Sequence, residues 1–314
     1  MVQSALMQAG VRAEVEAVFM VPPRSRRRAV FKFARGAIGF HAAKSHSIVD
    51  MRECLVLTPA LFDLAQQLRD RLAFLKEPVE IHATETLTGF DLAFRSPQKI
   101  STALTGEMAK AAAGLNIARI VFNGDLMLED AAPEVEQGGV RVKLPPQAFL
   151  QSTGEGEAAL QARVLAIVGR AKNIADLFAG CGTFTLPLAR KAKVHAVEQD
   201  GPALAALAAA AKTGSLKPVT IETRDLFKLP LTPMELNGFD AVVLDPPRAG
   251  AEAQAGALAK SRVPVIAYVS CDAASFARDT ALLIAGGYEI GPVSAIDQFL
   301  WSSHIELVAG FRRS

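Results

Sequence analysis

One cysteine of this chain lies where its thiolate could act as a nucleophile. Cys271 follows the apolar run at residues 265–269, and Glu306 lies at the start of a second apolar run further along the chain. A thiolate and a carboxylate at neighbouring strand ends of one sheet can serve as nucleophile and base. Asp245 precedes both residues, in Asp245-Pro246-Pro247-Arg248. The order of these three residues predicts that Cys271 is a nucleophile. The alternative is that Cys271 is a small, buried, apolar core residue, as free cysteine often is.

A glycine-containing turn joins a predicted strand to the helix after it. Its sequence is Asp176-Leu177-Phe178-Ala179-Gly180-Cys181-Gly182-Thr183. Glycines let the backbone turn tightly and approach a ligand, and the helix N-terminus offers free N–H groups. A dinucleotide fingerprint would place a third glycine at residue 185, which is threonine. The acid ahead of the glycines suits a ligand with a cationic amino-acid part better than it suits a pyrophosphate.

Two further acids complete this predicted cofactor site. Glu198 ends the next strand, where a carboxylate can accept hydrogen bonds from both hydroxyls of a ribose. Asp225 follows the third strand and is placed to contact an adenine edge. Ligand-binding residues gather at the carboxyl ends of strands in such sheets. The pattern predicts a site for S-adenosylmethionine, and the alternative is a structural turn with ordinary strand-end acids.

The elements that must position these residues form two predicted domains. Residues 1–140 have the mixed pattern of a smaller α+β domain, and residues 141–314 alternate strands with helices, as in a doubly wound parallel sheet of Rossmann type. In the first domain we predict strands at 29–33, 38–41, 79–83, 90–94 and 117–122, with helices at 58–75 and about 101–115. In the second we predict strands at 173–178, 193–198, 219–222, 241–244, 265–269 and 305–311, with helices at 156–169, 203–212 and 275–285.

Composition and cysteine usage limit the class of protein. Hydrophobic residues make up 50% of the 314 positions and the net charge is +2, which suits a globular chain and argues against disorder. Cys54, Cys181 and Cys271 are far apart and odd in number, so no disulfide framework or zinc pattern can be built from them. The sequence has neither a signal-peptide pattern nor a membrane-spanning apolar run. We therefore expect a cytoplasmic protein.

Basic residues are concentrated in the first part of the chain, with few acids among them. This distribution favours a phosphate-binding surface, and the alternative is an ordinary solvated face. The basic residues are Arg24, Arg26, Arg27, Arg28, Lys32, Arg35, Lys44 and Arg52.

Five motifs, taken in order, resemble those of the RNA uracil-5-methyltransferase family, and the likeness extends over nearly the whole chain. The resemblance implies a Rossmann-like class I methyltransferase domain behind a smaller α+β domain that faces RNA. Arg26-Arg27-Arg28 and residues 48–54 resemble the branch that methylates 23S ribosomal RNA more than the transfer-RNA branch. The motifs are Phe149-Leu150-Gln151, residues 176–186, Asp245-Pro246-Pro247-Arg248, Ser270-Cys271-Asp272 and His304-Ile305-Glu306.

The resemblance implies a covalent reaction that these residue types can perform. Cys271 would add to C6 of a uridine, so that C5 can attack the methyl group of S-adenosylmethionine, and Glu306 would then remove the C5 proton. Arg248 and Asp272 would orient the uracil. The cofactor-binding residues implied by the motifs are Gln151, Phe178, Gly180, Gly182, Thr183, Glu198, Asp225 and Asp245.

The chain departs from the family pattern at three places. Asp272-Ala273 stands where relatives usually have Asn and Pro, and the N-terminal oligonucleotide-binding barrel of the ribosomal branch is missing. That branch also holds an iron–sulfur cluster on four cysteines, of which Cys54 matches the fourth. One cysteine cannot hold a cluster, so we expect none in this chain. Either this lineage has lost the cluster or the chain is an N-terminal truncation, and a helical pattern at residues 2–18 that begins mid-pattern favours the truncation.

Two other functions remain open at this point. RNA cytosine-5 methylation uses a cysteine in a similar way, and transfer RNA is an alternative substrate to ribosomal RNA. A protein that binds RNA without catalysis would also retain this fold. Methylation of exocyclic amines is disfavoured, because the residue after Asp245-Pro246-Pro247 is Arg248 rather than an aromatic residue that could stack on a base.

Overall fold

The computed structural model describes residues 1–313 and divides into two compact units. The large unit contains Met1–Val21, Glu136–Val142 and the chain from Glu155 onward, and the small unit contains Pro22–Val135 and Lys143–Gly154. The predicted division at residue 140 does not coincide with these units, because the small unit includes Lys143–Gly154 and the large unit includes Glu136–Val142 and the first 21 residues. The first 21 residues belong to the large unit because strand β1 (Phe19–Met20) pairs in parallel with a strand near the C-terminus.

The predicted N-terminal helix is shorter than expected. Helix α1 covers Val2–Gln8 rather than residues 2–18, and Gly10 follows its end with φ +72°. Left-handed backbone at a glycine is a common helix terminator. Val2 and Leu6 of this helix are buried in the core of the large unit, which explains why a short helix persists there.

The large unit is built on an eight-stranded sheet within the described chain. Besides β1, its strands are β11 (Asn173–Leu177), β12 (Lys193–Glu198), β13 (Val219–Thr223), β14 (Ala241–Leu244), β15 (Val265–Ser270), β16 (Glu289–Asp297) and β17 (Glu306–Arg312). Their order in the sheet is β1-β16-β17-β15-β14-β11-β12-β13. Strands β11 to β15 are parallel where they pair, whereas β17 runs antiparallel to both β15 and β16.

Helices cover both faces of this sheet, because its strands carry apolar side chains on both faces. Along β14, Val242 and Leu244 enter one buried cluster, whereas Ala241 and Val243 enter the other. A strand buried on both faces must be apolar at successive positions. The helices are α4 (Gly154–Val168), α5 (Thr185–Ala189), α6 (Gly201–Thr213), α7 (Pro233–Leu236), α8 (Glu252–Ala259) and α9 (Ala273–Ala285).

The small unit is built on a seven-stranded sheet, counted over the residues that the structure describes. Its elements are β2 (Arg28–Ala34), β3 (Ala37–His41), β4 (Ile48–Asp50), α2 (Pro59–Arg71), β5 (Val79–Thr86), β6 (Gly89–Arg95), α3 (Thr102–Ala112), β7 (Ile117–Phe122) and β8 (Asp125–Glu129). The strand order is β4-β3-β2-β5-β6-β7-β8, and the pairs are antiparallel except β6 with β7, which helix α3 connects. Thr58 is the N-cap of helix α2 and Ser101 that of α3, and each side chain accepts a hydrogen bond from a backbone N–H of the first turn.

A hairpin of β9 (Glu134–Gln137) and β10 (Val140–Lys143) contains the Gly138-Gly139 turn, where the sequence predicted a boundary. Both glycines have positive φ, +57° and +76°, as a tight hairpin turn requires. Among the helices of residues 1–313, none is long and apolar enough to cross a membrane.

Candidate active site

The predicted nucleophile and base lie at one end of the large sheet. Cys271 follows the last residue of β15, and Glu306 is the first residue of β17. Leu307 pairs with Ser270 across these antiparallel strands, which places Glu306 next to Cys271. Asp245 follows β14, which pairs with β15 in parallel. Because β17 runs opposite to the others, its first residue meets the carboxyl ends of β14 and β15.

The electrostatics of this cluster tie the three groups together. The pKa of Cys271 is raised to about 11 by burial, and then by the carboxyls of Glu306 and Asp245, while Arg248 opposes the rise. Burial also raises the pKa of Glu306 to about 7. The pKa of Asp245 lies well above its usual range because the carboxyl is desolvated and lies near Glu306 and Asp176. A cation that entered this cluster would favour the ionised forms of all three.

Gln298 orients the predicted base. Its amide Nε2 donates a hydrogen bond of 3.2 Å to Oε1 of Glu306, and both side chains are buried. Sequence reasoning missed this residue. A signal was present in its position, eight residues before Glu306 at the end of a strand, but that strand, β16, was itself not predicted.

Arg248 reaches the other side of the cluster from the loop after β14. Its side chain is exposed, and its Nη2 lies 2.8 Å and 2.9 Å from the two ring nitrogens of His304. The loop itself is held by Asp279, which is fully buried and accepts a hydrogen bond of 2.6 Å from the Ala251 backbone N–H. Arg248 therefore projects from a fixed loop towards the residues that precede Glu306.

Asp272 has a structural role, as a helix N-cap, that the sequence did not predict. Its Oδ1 accepts hydrogen bonds from the backbone N–H groups of Ala274 and Ser275, at 3.0 Å and 2.9 Å, and so caps helix α9. The Oδ1 atom is thus engaged by the helix, and the expectation that Asp272 orients uracil stays a prediction. A capping aspartate also explains why the position tolerates a departure from the family's asparagine, since both residue types are favoured N-caps.

The glycine turn has the strained backbone of a ligand-binding loop. Phe178 has φ +65°, which is unusual for a residue other than glycine, and its N–H donates to the Val197 carbonyl at 2.9 Å. Gly180 has φ +53°, and a Cβ built there would meet nothing within 4 Å. A Cβ at Gly182, with φ +100°, would lie 2.5 Å from Cδ1 of Leu207. Gly180 thus presents bare backbone, and Gly182 permits close helix packing.

The two strand-end acids are fixed by backbone groups. Glu198 accepts hydrogen bonds from the N–H groups of Gly180 (3.1 Å), Gln199 (2.7 Å) and Asp200 (2.9 Å). Asp225 accepts one from Phe227 N–H at 3.0 Å. Glu198 therefore lies against the glycine turn, and a cofactor site shared by the two stays a prediction.

An aromatic pair next to these acids was not predicted. The rings of Phe178 and Phe227 lie with their centroids 5.5 Å apart, and Phe227 is 42% exposed. An exposed phenylalanine two residues after Asp225 is a signal that the sequence offered, but its pairing with Phe178 joins residues far apart in the chain. Flat apolar rings at this place could contact an adenine face.

Two polar residues lie beneath the turn. Asp176 is fully buried and accepts a hydrogen bond from the Thr185 hydroxyl, its Oδ1 has no partner among residues 1–313, and burial raises its pKa to about 7. The Thr183 hydroxyl accepts a hydrogen bond of 3.2 Å from Nε2 of Gln137. Cys181 is buried, and burial raises the pKa of its thiol to about 12, which leaves it unreactive.

Gln151 belongs to the small unit, where arginines hold its segment. Its backbone carbonyl accepts a hydrogen bond of 3.3 Å from Nε of Arg27, and Nη1 of Arg28 donates to the Leu150 carbonyl at 2.5 Å. The Arg28 guanidinium lies 4.9 Å from the centre of the Phe149 ring. Arg26, Arg27 and Arg28 are half-buried, whereas Arg24 of the same basic segment is exposed, and a phosphate-binding surface in this segment stays a prediction.

Cys54 also lies in the small unit. It is half-buried, and its Sγ accepts a hydrogen bond of 3.5 Å from Leu57 N–H. Within residues 1–313 there is no cluster of three or more His, Cys, Asp or Glu side chains that could hold a metal ion.

Comparison with solved structures defines the fold class. The crystal structure of Pyrococcus abyssi tRNA (uracil-54, C5)-methyltransferase in complex with S-adenosyl-L-homocysteine matches with a TM-score of 0.77, at 22% identity, over 98% of this chain and 81% of that one. The chain therefore has the class I methyltransferase fold, which confirms the sequence prediction.

Sequence comparison identifies the family. The family model described as tRNA (Uracil-5-)-methyltransferase matches residues 111–312. An uncharacterized RNA methyltransferase of Rhizobium meliloti is 46% identical over 324 residues, which cover 98% of this chain and 76% of the relative. A 23S rRNA (uracil(1939)-C(5))-methyltransferase of Bordetella avium is 31% identical over 87% of this chain and 62% of the relative. The chain belongs to the RNA uracil-5-methyltransferase family, as its motifs predicted.

Proposed function

We propose that this protein transfers a methyl group from S-adenosylmethionine to C5 of a uridine in RNA, through a covalent adduct with Cys271. The pairing of Ser270 with Leu307 carries this proposal, because it brings Cys271 and Glu306 to adjacent strand ends. The nucleophile and the base must each reach the planar pyrimidine ring in a fixed geometry, whichever face each approaches. Rigid elements must therefore hold both groups. Two paired strands provide that rigidity.

The residues support a balanced sequence of bond changes. The Cys271 thiolate forms a bond to C6, and the electrons of the C5–C6 double bond make C5 nucleophilic. S-adenosylmethionine supplies the methyl group that C5 takes up. Glu306, with a pKa of about 7, accepts the C5 proton, and the released electrons restore the double bond and expel the thiolate. Arg248, by its charge, favours the thiolate before attack.

Two observations support the glycine turn as the binding site of the cofactor. Gly180 offers open backbone with nothing to obstruct an approaching ligand, and the buried Oδ1 of Asp176 has no partner within the described chain. Glu198 would bind the ribose hydroxyls, Phe178 and Phe227 would contact the adenine, and Asp225 would lie at the adenine edge. Gln151, Thr183, Gly182 and Asp245 complete the proposed set.

We favour 23S ribosomal RNA as the substrate, with transfer RNA as the second candidate. The Bordetella relative supports ribosomal RNA, since its name states that substrate and it is 31% identical to this chain over the matched residues. The family description and the Pyrococcus structure support transfer RNA. The uridine must leave its stack to reach Cys271, which costs least in a loop.

A methyl-transfer assay tests this function. Purified protein is incubated with methyl-labelled S-adenosylmethionine and either 23S ribosomal RNA or transfer RNA, and the RNA is digested to nucleosides. We expect label in 5-methyluridine from one RNA, and a loss of roughly a thousandfold or more in Cys271→Ala. Label in 5-methylcytidine would assign the reaction to cytosine instead, and RNA binding without transfer would leave a non-catalytic protein.

A trapped adduct tests the covalent step. RNA containing 5-fluorouridine at the target cannot lose a proton from C5, so elimination is blocked and a stable protein–RNA adduct should accumulate. Cys271→Ala should form none, whereas Glu306→Gln should still form it with ordinary RNA. A Cys181→Ala control should behave as wild type, because that thiol is buried and its pKa is about 12.

A further inference from the structure

Trp301 is the only tryptophan of this chain, and it lies in the turn between β16 and β17. The turn is closed by a hydrogen bond of 3.0 Å from Ser302 N–H to the Phe299 carbonyl, which makes Trp301 its third residue. Trp301 has φ +61°, and its side chain is 69% exposed. A turn with positive φ at the third position ordinarily takes glycine or asparagine.

Stability does not account for a tryptophan at this position. A bulky side chain in the left-handed region is strained, and an exposed ring regains little by burial. Strained residues with no packing role are concentrated at functional sites, where a ligand completes their contacts. The backbone strain and the exposure of Trp301 therefore fit a side chain that contacts a ligand.

The loop that carries Trp301 is attached to the candidate active site at both ends. Gln298, before the turn, donates to the carboxylate of Glu306 at 3.2 Å. His304, after the turn, has its ring 6.0 Å from that of Phe299, and Arg248 contacts it. All of these residues belong to the large unit. A ligand that stacks on the Trp301 ring would therefore contact a loop that also carries Gln298, the partner of Glu306, and His304, the partner of Arg248.

We infer that Trp301 stacks on an unpaired nucleobase of the RNA, next to the target uridine. This inference rests on the proposed function. Extrusion of a uridine leaves its neighbours without a stacking partner, and single-stranded bases are commonly held on exposed aromatic rings. The nearby Arg248 favours a polyanion over an apolar protein partner or a neutral surface. Trp301 is then a substrate-positioning residue rather than a catalytic one.

The single tryptophan makes a direct experiment possible. Intrinsic tryptophan emission of the protein is followed while an RNA stem-loop with one loop uridine is added, and binding is measured separately by filter retention. Stacking on a base should quench the emission in step with binding, and S-adenosylhomocysteine alone should leave it unchanged. Unchanged emission at saturating RNA, or quenching by S-adenosylhomocysteine alone, would overturn the inference. Because binding and quenching need no methyl transfer, failure of the proposed activity would be seen separately.

Variants separate recognition from folding. Trp301→Gly relieves the backbone strain, so its melting temperature should equal or exceed that of wild type, while KM for RNA rises roughly 10- to 100-fold. Trp301→Phe should restore most of the loss, and affinity for S-adenosylhomocysteine should stay constant in both. Met234→Ala is the matched control, since Met234 is 84% exposed in α7. A melting temperature that falls in Trp301→Gly would assign the ring a structural role and overturn the inference.

An abasic substitution identifies the base. Each nucleotide that flanks the target uridine is replaced by an abasic site in turn. Wild type should lose roughly tenfold or more in RNA affinity at one flanking position, and Trp301→Gly should lose almost nothing further there. Equal losses in the two proteins at both positions would show that the ring and the flanking bases act independently, which contradicts stacking.

Discussion

Leu307 pairs with Ser270 across two antiparallel strands, and this register determines where the neighbouring Glu306 lies. A shift of one residue would turn Glu306 to the opposite face of the sheet, because side chains alternate along a strand. Leu307 is fully buried on one face, whereas Glu306 is buried on the other with Gln298 as its partner. The apolar pattern of β17 therefore fixes the geometry of the proposed base.

Neutralising Glu306 should make Cys271 more reactive in the free protein. After burial, the Glu306 carboxylate is the largest influence that raises the pKa of this thiol, so Glu306→Gln should lower that pKa. A fall of the pKa by about 1 increases the thiolate fraction roughly tenfold at a pH below the pKa. The measurement is the rate of alkylation by iodoacetamide at about pH 8, in a Cys54→Ser background.

The control for this reactivity removes a distant charge. Glu289 begins β16 at the opposite end of the same sheet, so Glu289→Gln should leave the alkylation rate unchanged. An unchanged or lower rate in Glu306→Gln would contradict the electrostatic coupling between the two strand ends.

The buried Glu306 should also make stability depend on pH. Its folded-state pKa is about 7, above the ordinary value of 4.5, so its contribution is complete below pH 4.5 and is lost as pH rises through 7. The free energy of unfolding should fall by about 3 kcal/mol in total, because a pKa difference of 1 corresponds to about 1.4 kcal/mol. Urea denaturation between pH 4.5 and about pH 8 should show that the free energy of unfolding of wild type falls relative to that of Glu306→Gln as the pH rises. Parallel pH profiles for the two proteins would contradict the raised pKa.

Local patterns explain which elements the sequence could predict. Strands β7, β12 and β14 have the predicted bounds, because each is a short apolar run between turn residues. Strand β16 was missed because Gly291-Pro292 interrupts it, and the register shifts between Ile290 and Val293. The strand exists because β17 and β1 pair with its two edges, which no local pattern shows.

The residues of the candidate site likewise fall into those that the sequence could predict and those that it could not. Motif residues such as Cys271 and Glu306 could be selected by residue type and order. The partners that orient them depend on contacts between distant segments, as Gln298 and Phe227 illustrate. Asp272 shows a limit of motif reasoning, because the motif suggested a contact with the substrate but did not reveal that the same carboxylate caps helix α9.

Alanine at the two glycines of the turn should have different effects. At Gly182 a Cβ would lie 2.5 Å from Leu207, with φ +100°, so Gly182→Ala should lower the free energy of unfolding by about 2 kcal/mol or more. At Gly180 the Cβ enters open space with φ +53°, so the cost should be about 1 kcal/mol. Thermal melts measure both.

Cofactor binding should separate the same two variants. Calorimetry with S-adenosylhomocysteine should show that Gly180→Ala, although nearly as stable as wild type, binds roughly tenfold more weakly or worse, since the methyl group occupies the face that the ligand would approach. Full affinity in Gly180→Ala would place the cofactor elsewhere.

Arg28 should order the segment that contains Gln151. Its guanidinium donates to the Leu150 carbonyl and lies over the Phe149 ring, so Arg28→Met should release residues 149–151. Hydrogen exchange of these amides should become faster in the variant, while exchange in helix α2 stays constant. Arg24→Met, which removes an exposed side chain from the same basic segment, is the control. Equal exchange in both variants would leave Arg28 without a role in ordering this segment.

Asp279 should be the most costly of these side chains to remove. It is fully buried and accepts hydrogen bonds from the Tyr268 hydroxyl at 2.5 Å, the Ala251 N–H at 2.6 Å and Arg278. Asp279→Ala removes the acceptor of the Tyr268 hydroxyl and of the Ala251 N–H, so the free energy of unfolding should fall by about 3 kcal/mol or more. Tyr268→Phe removes one donor and should cost about 1 kcal/mol, and the double variant should cost less than the sum because the two changes share one contact. Urea denaturation measures all three, and strict additivity would contradict the shared contact.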